Sequence, residues 1–309
     1  MSQERATILF VDDEERILRS LRMLFRGPYE VLMTTSGAAA LDMVRNRRVH
    51  VIVSDQRMPE MLGVDLLRRV REASPATMRL LLTGYSDLQA IIASVNEGEI
   101  FRFIEKPWQP QYLLDVVGQA AKVAVRGFAP TPQAPALAAV PAVALKMLVI
   151  DEDAATQQLV RELVGSQHHV FHADAIEAAL AILSEHEIAV VVAELSHRRD
   201  DVAGALKTLK QYTPGTLTIA TSPLRDARSL IELINQGQIY RFLPKPLSRE
   251  LLRRGLLAAI AHYSRIKAAP MLAQRHAVEQ AKFEPMSLSA RLFDYWKRIR
   301  ENGKAQKVA

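Results

Sequence analysis

Short apolar runs alternate with amphipathic stretches along the first 125 residues. Ile8–Val11 is a compact β-branched run, after which Ile17, Leu18, Leu21, Leu24 and Phe25 recur at helical spacing. Tyr29–Met33 reads as a second strand and Ala38–Val44 as a helix. Val49–Ser54 is a run of buried-strand character, and Leu66, Leu67 and Val70 open another helix. Leu80–Thr83 then reads as a strand, Leu88–Val95 as a helix, Phe101–Ile104 as a fifth strand and Tyr112–Val125 as a fifth helix. Strands alternating with helices at this length predict a parallel sheet covered by helices on both faces.

The second half repeats this pattern at a constant spacing. Asp12 and Asp151 lie 139 positions apart, as do Lys106 and Lys245. Ala39-Ala40-Leu41 falls on Ala178-Ala179-Leu180, and Pro75 on Pro214. Gly98-Glu-Ile-Phe-Arg-Phe-Ile-Glu-Lys-Pro107 falls on Gly237-Gln-Ile-Tyr-Arg-Phe-Leu-Pro-Lys-Pro246 with no gap. The expectation is a tandem duplication: a domain over 1–125, a spacer over 126–145, a second domain over 146–266 and a tail over 267–309. Prolines set among alanines between Gly127 and Leu145 describe a semi-extended linker rather than a helix. Arg249–Ile266 is a long apolar-periodic helix, and Ser289–Arg300 reads as a short helix in the tail.

Composition narrows the function classes. A chain of 309 residues without a cysteine carries no disulfide framework, thiolate zinc site or thiol chemistry. There is no apolar signal-peptide core and no run of 18 apolar residues, so a cytoplasmic protein without membrane insertion is expected. The formal charge of +6 is unevenly placed. Residues 1–125 hold 16 basic and 16 acidic side chains, whereas 267–309 hold 9 and 4, so the basic character belongs mostly to the tail.

The chemically pointed residues of the first half fall at strand ends, where ligands bind in open parallel sheets. Asp12 and Asp13 follow the first strand, Asp55 the third, Thr83 ends the fourth and Lys106 follows the fifth. Carboxylates brought together there favour a hard divalent cation, Mg²⁺ above all. A lysine and a threonine hydroxyl would serve an anion, and the combination points to phosphoryl transfer onto a carboxylate. Each residue also has an ordinary explanation: Asp12-Asp13 as a helix cap, Asp55 as a turn residue and Thr83 as a strand residue.

Ile-Leu-Phe-Val-Asp12-Asp13-Glu, Val-Ile-Val-Ser-Asp55-Gln-Arg-Met-Pro59, Leu-Leu-Leu-Thr83-Gly84 and Glu-Lys106-Pro107, in that order, resemble the receiver domain of bacterial two-component response regulators. The likeness covers roughly residues 6–125. It implies two flavodoxin-like (βα)5 doubly wound domains followed by a short helical tail. It also implies Asp55 as phosphoacceptor, with Asp12, Asp13, Asp55 and the Arg57 backbone carbonyl holding Mg²⁺, and Thr83 and Lys106 binding phosphoryl oxygens. Phe103 takes the place of an aromatic switch that buries as Thr83 moves inward. A histidine kinase, a downstream effector protein and a homodimer through the face of the fourth helix, fifth strand and fifth helix are the partners so implied.

The second half resembles a receiver over roughly 146–265, but a degenerate one. Asp151-Glu152 stands for Asp12-Asp13, Glu194 for Asp55 and Ser222 for Thr83, while Lys245 is retained. Glu194 is a methylene longer than aspartate and fits a standing ion pair with Lys245 better than phosphate acceptance. Arg57-Met58-Pro59 gives way to Ser196-His197-Arg198, and Gly84 to Pro223. This half is therefore read as a pseudo-receiver, with residual metal binding by Asp151, Glu152 and Glu194 as an alternative. His168, His169 and His172 match no zinc spacing, and adjacent strand residues face opposite ways.

Three functional classes follow. The first is a non-enzymatic signalling switch, whose only chemistry is the receiver's own phosphotransfer and autodephosphorylation. The second is a DNA-binding transcriptional regulator acting through the basic tail or a further effector domain. Direct nucleic-acid binding is disfavoured, because no helix-turn-helix pattern is visible. The third, an aspartyl-phosphate phosphatase, needs a second acid two positions after the nucleophile, and Arg57 stands there.

Overall fold

The computed structural model describes residues 5–84, 100–127, 144–195, 215–223 and 239–268, with isolated positions at 92, 96, 206, 209, 210, 213, 231, 234 and 235. The expected helix Leu88–Val95, most of the linker, Ser196-His197-Arg198 and the tail helix Ser289–Arg300 lie outside the described residues.

In the first half, strands β1 (Thr7–Val11), β2 (Glu30–Thr34), β3 (Val51–Asp55), β4 (Met78–Thr83) and β5 (Arg102–Glu105) alternate with helices α1 (Glu15–Phe25), α2 (Gly37–Asn46), α3 (Gly63–Ala73) and α4 (Pro110–Gly127). All pairings are parallel, in the order β2-β1-β3-β4-β5. Ile8 sits opposite both Val31 and Val51, which fixes β1 in the middle. The central strands β1, β3 and β4 are buried along their whole length, as continuous apolar runs in a two-sided sheet should be.

Alternate strand residues supply the two faces of the core. Ile8 and Phe10 of β1, Val51 and Val53 of β3, and Leu80 and Leu82 of β4 share one apolar cluster with Leu18, Leu21 and Phe25 of α1 and Leu113, Val116 and Val117 of α4. Removing a side chain such as the fully buried Phe25 from water contributes about 2–3 kcal/mol. Ser36 caps α2 by accepting the Ala39 N–H at 3.4 Å.

The second half contains β6 (Lys146–Ile150), β7 (His169–Ala173), β8 (Val190–Glu194), β9 (Leu217–Ser222) and β10 (Arg241–Pro244), with α5 (Ala154–Val164), α6 (Ile176–Glu185) and α7 (Arg249–Ala268). Its sheet runs β7-β6-β8-β9-β10, the same order as the first. Each strand begins 139 positions after its counterpart, Lys146 against Thr7 and Arg241 against Arg102. One face packs Met147, Val149, Val190 and Ile219 against α5 and α7, and the other packs Leu148, Ile150 and Val191 against α6. Helices therefore cover both sides of this parallel sheet too. Both Lys-Pro bonds, at Lys106 and Lys245, are cis.

By contacts the chain divides into Met1–Ala134 with Arg225–Asn235, and Pro135–Leu224 with Gln236–Ala309. The stretch 225–235, expected within the second domain, thus falls with the first unit. No helix among the described residues is long and apolar enough to cross a membrane.

Candidate functional site

In the first sheet the chain leaves β1 toward β2 on one side and resumes at β3 on the other. The carboxyl ends of β1 and β3 at this change of direction are where open parallel sheets place their ligand sites. Asp12 follows β1 and Asp55 closes β3, so both carboxylates come to this point from adjacent strands. Lys106 arrives one residue after β5, its N–H held by the Thr83 carbonyl at 2.9 Å.

These three side chains form one ionic cluster. Lys106 Nζ lies 2.6 Å from Asp55 Oδ1 and 3.1 Å from Asp12 Oδ2. Each aspartate uses its other oxygen to fix itself on the backbone. Asp12 Oδ1 accepts the Glu14 N–H at 2.9 Å, and Asp55 Oδ2 accepts the Arg57 N–H at 2.9 Å. Each aspartate thus closes a turn with the residue two further on, alongside convergence on the lysine; the N-cap of α1 is Glu14, without a side-chain cap, so Asp12 is not its helix cap. Asp12 is almost wholly buried, at 1 % exposure. Burial raises its carboxyl above the ordinary aspartate value, against the Glu14 N–H and Lys106, which pull it down, and with a small push from the Asp55 charge. Burial depresses the Lys106 ammonium, but the hydrogen bond and charge of Asp55, joined by Asp12, outweigh it and leave its pKa raised.

Asp13, in contrast, is exposed. Among the described residues no three His, Asp or Glu side chains gather closely enough to hold a metal ion. The expectation of three converging carboxylates is met by two. The donor set still suits a hard cation: it is made of oxygens, it is buried, and its two carboxylates share Lys106.

Thr83 is buried at the end of β4, with its hydroxyl donating to the Gly84 carbonyl at 3.2 Å. Phe103 is fully buried as well. Its ring already stands in the buried position that the expected switch would take up.

Three residues beside the cluster escaped the sequence reading. A Cβ on Gly63 would sit 2.1 Å from the Asp55 carbonyl oxygen, so only glycine lets α3 start against the end of β3. Gln56 is buried and its Oε1 accepts the Val64 N–H at 3.2 Å, tying the same two elements together. Trp108 places its ring 5.8 Å from Lys106 Nζ. The Met-Pro-Glu-Met-Leu-Gly63 wording after Asp55 was the available signal for the first of these.

The second half builds the same cluster around a longer acid. Lys245 Nζ lies 2.6 Å from Glu194 Oε2 and 2.9 Å from Asp151 Oδ2, while Asp151 Oδ1 accepts the Asp153 N–H at 2.9 Å. Burial opposes the Lys245 charge, but Glu194 and Asp151 prevail and its pKa is raised. Glu152 is exposed, and Ser222 is buried at the end of β9. The histidines serve locally: His168 Nδ1 accepts the Leu145 N–H at 3.2 Å, and His172 Nε2 meets the Asp151 carbonyl at 2.9 Å.

The fold class set by the first half is an open parallel α/β sheet with a carboxylate–lysine cluster at its switch point. Residues 8–118 match the response regulator receiver domain family, so this part of the chain is a receiver domain. Relatives of the chain include the hydrogenase transcriptional regulatory protein HoxA of Cupriavidus necator, 43% identical over 40% of this chain and 25% of that protein. FixJ of Rhizobium meliloti, a transcriptional regulatory protein, is 32% identical over 38% of this chain and 57% of that one. Among solved structures, the signal receiver domain of an HD domain-containing protein from Pseudomonas fluorescens is 37% identical, over 41% of this chain and 93% of that one, with a TM-score of 0.39. The chain spans about a quarter of the length of the HoxA proteins it matches.

Proposed function

We propose that the first half is a phosphorylation switch in a two-component pathway, with Asp55 as acceptor and a histidine kinase as donor. In the transfer, an Asp55 carboxylate oxygen attacks phosphorus as the P–N bond of a phosphohistidine breaks, and the imidazole leaves to take up a proton. The observation that carries this reading is the single lysine shared by two buried carboxylates at the strand switch point. Arg57 N–H holds one Asp55 oxygen and thereby orients the carboxylate. Lys106 and the Thr83 hydroxyl supply positive charge and a hydrogen bond for the arriving phosphoryl oxygens. Asp12, Asp13, Asp55 and the Arg57 carbonyl would hold Mg²⁺, which supplies charge neutralisation between carboxylates and phosphoryl group. Once Asp55 carries phosphate, Lys106 exchanges a carboxylate partner for a phosphoryl oxygen. That exchange pulls on the ends of β4 and β5 and alters the surface offered to a downstream protein. No metabolite is turned over.

The second half is, in this reading, a pseudo-receiver. Glu194 holds Lys245 at 2.6 Å, the distance of Lys106 from Asp55, so what supports this reading is the glutamate's extra methylene at the acceptor position. The likeness to transcriptional regulatory proteins supports a second reading, in which the protein regulates transcription; duplex DNA binding that weakens steeply with salt would favour it.

The test is to incubate the full chain with Mg²⁺ and acetyl phosphate and read its intact mass. Gain of a labile phosphoryl group in wild type but not in Asp55→Asn is the expected result. No gain at saturating donor, or gain surviving in Asp55→Asn, overturns the assignment.

A further inference from the structure

β5 ends the sheet order β2-β1-β3-β4-β5, so among the described residues no strand lies on one of its sides. The Lys106 N–H points toward β4, bonding to the Thr83 carbonyl. Backbone groups alternate sides along a strand, so Phe103, three residues earlier, turns its N–H and C=O to the open side. Such a pair is a template for another strand or another copy of the chain.

Both groups are taken by one side chain. The Phe103 N–H donates to Asn235 Oδ1 at 3.1 Å, and Asn235 Nδ2 donates to the Phe103 carbonyl at 2.7 Å. A carboxamide carries a donor and an acceptor side by side, so it reproduces the two-bond contact that a neighbouring strand would make. Asn235 lies 132 residues further along the chain, yet Arg225–Asn235 groups by contacts with the first unit. Ile231 and Ile234 are helical and buried, at 6 % and 3 % exposure. Their spacing places them with Asn235 on one side of the turn, which anchors the amide.

We infer that Asn235 is a built-in clamp on the open edge of β5. The occupant of that edge at Phe103 is the side chain of Asn235, whose amide holds the backbone of the strand that leads into Lys106. While the clamp is closed, the edge at Phe103 is closed to pairing with a second copy. The inference goes beyond the phosphorylation reading and stands whether or not Asp55 accepts phosphate.

Residue-resolved amide hydrogen exchange on the full, unphosphorylated chain tests it. In Asn235→Ala the Phe103 amide should exchange about ten-fold faster, while the Lys106 amide, bonded to Thr83, keeps its wild-type rate. Asn235→Asp retains the acceptor oxygen and should keep most of the Phe103 protection. Unchanged Phe103 exchange in Asn235→Ala overturns the clamp. Equal acceleration of Phe103 and Lys106, or loss of protection in Asn235→Asp as large as in Asn235→Ala, overturns it as well, since the amide would then be supporting the fold at large.

Discussion

The ionic clusters of the two halves differ by one methylene and almost nothing else. In the first, Lys106 lies 2.6 Å from Asp55 and 3.1 Å from Asp12; in the second, Lys245 lies 2.6 Å from Glu194 and 2.9 Å from Asp151. Both lysines gain charge stability from the pair that faces them, against burial. The comparison teaches that the cluster is first a structural device, joining the ends of three strands. In the proposed function, acceptor chemistry depends on which acid stands at the end of the third strand.

The largest contrast between the halves should come from the acids themselves. Asp55→Asn should abolish acetyl phosphate labelling, whereas Glu194→Gln should leave it at the wild-type level. Comparable losses in both variants would break the distinction.

Next in size is the packing beside the acceptor. Gly63→Ala should destabilise the first unit by ~3 kcal/mol, because the added carbon meets the Asp55 backbone rather than a flexible side chain. Hydrogen exchange of peptides from β3 and α3 measures this, and near-wild-type protection would show that the loop yields easily. By the 139-residue offset the second half has Val202 in place of Gly63.

A smaller effect concerns the second half alone. Lys210 is fully buried, bonds through Nζ to the Thr216 carbonyl, and has its pKa lowered by burial to about 7. Between about 7 and the ordinary lysine value of 10.5 the unfolded chain binds more protons than the folded one. Stability of the second unit should therefore rise with pH across that window. Lys210→Met should raise stability at neutral pH by ~2 kcal/mol and flatten the rise. A pH-independent unfolding midpoint in wild type would contradict this.

The smallest expected effect is at Asp12. Its folded pKa is raised, so its favourable contribution is present below the ordinary carboxylate value and lost as pH climbs through the folded one. At neutral pH without divalent cation, Asp12→Asn should raise the denaturant midpoint of the first unit by an amount worth less than ~1 kcal/mol. A lowered midpoint would mean that Lys106 depends on Asp12 more than burial opposes it.

Much of this was legible in the chain itself. Apolar runs such as Val49–Ser54 and the helical periodicity of Leu18, Leu21 and Phe25 marked the elements, because strand and helix burial leave local periods of 2 and 3.6. Asp12, Asp55 and Lys106 stood out because each directly follows an apolar run, and the carboxyl ends of parallel strands gather in one place. What stayed hidden has no local period. Gly63 matters through a steric approach to Asp55, Gln56 through an amide hidden in the β3–α3 turn, and Asn235 through a contact 132 residues away in the chain. The burial of Phe103 was not legible either, because a ring's burial depends on packing around the strand rather than on its own position in the sequence.

The phosphoryl stoichiometry of the intact wild-type chain tests the central contrast most directly. With Mg²⁺ and saturating acetyl phosphate, intact-mass measurement followed by borohydride mapping should find one labile phosphoryl group per chain, on Asp55. Two groups, or one on Glu194, would contradict the division into a live first half and a standing ion pair in the second.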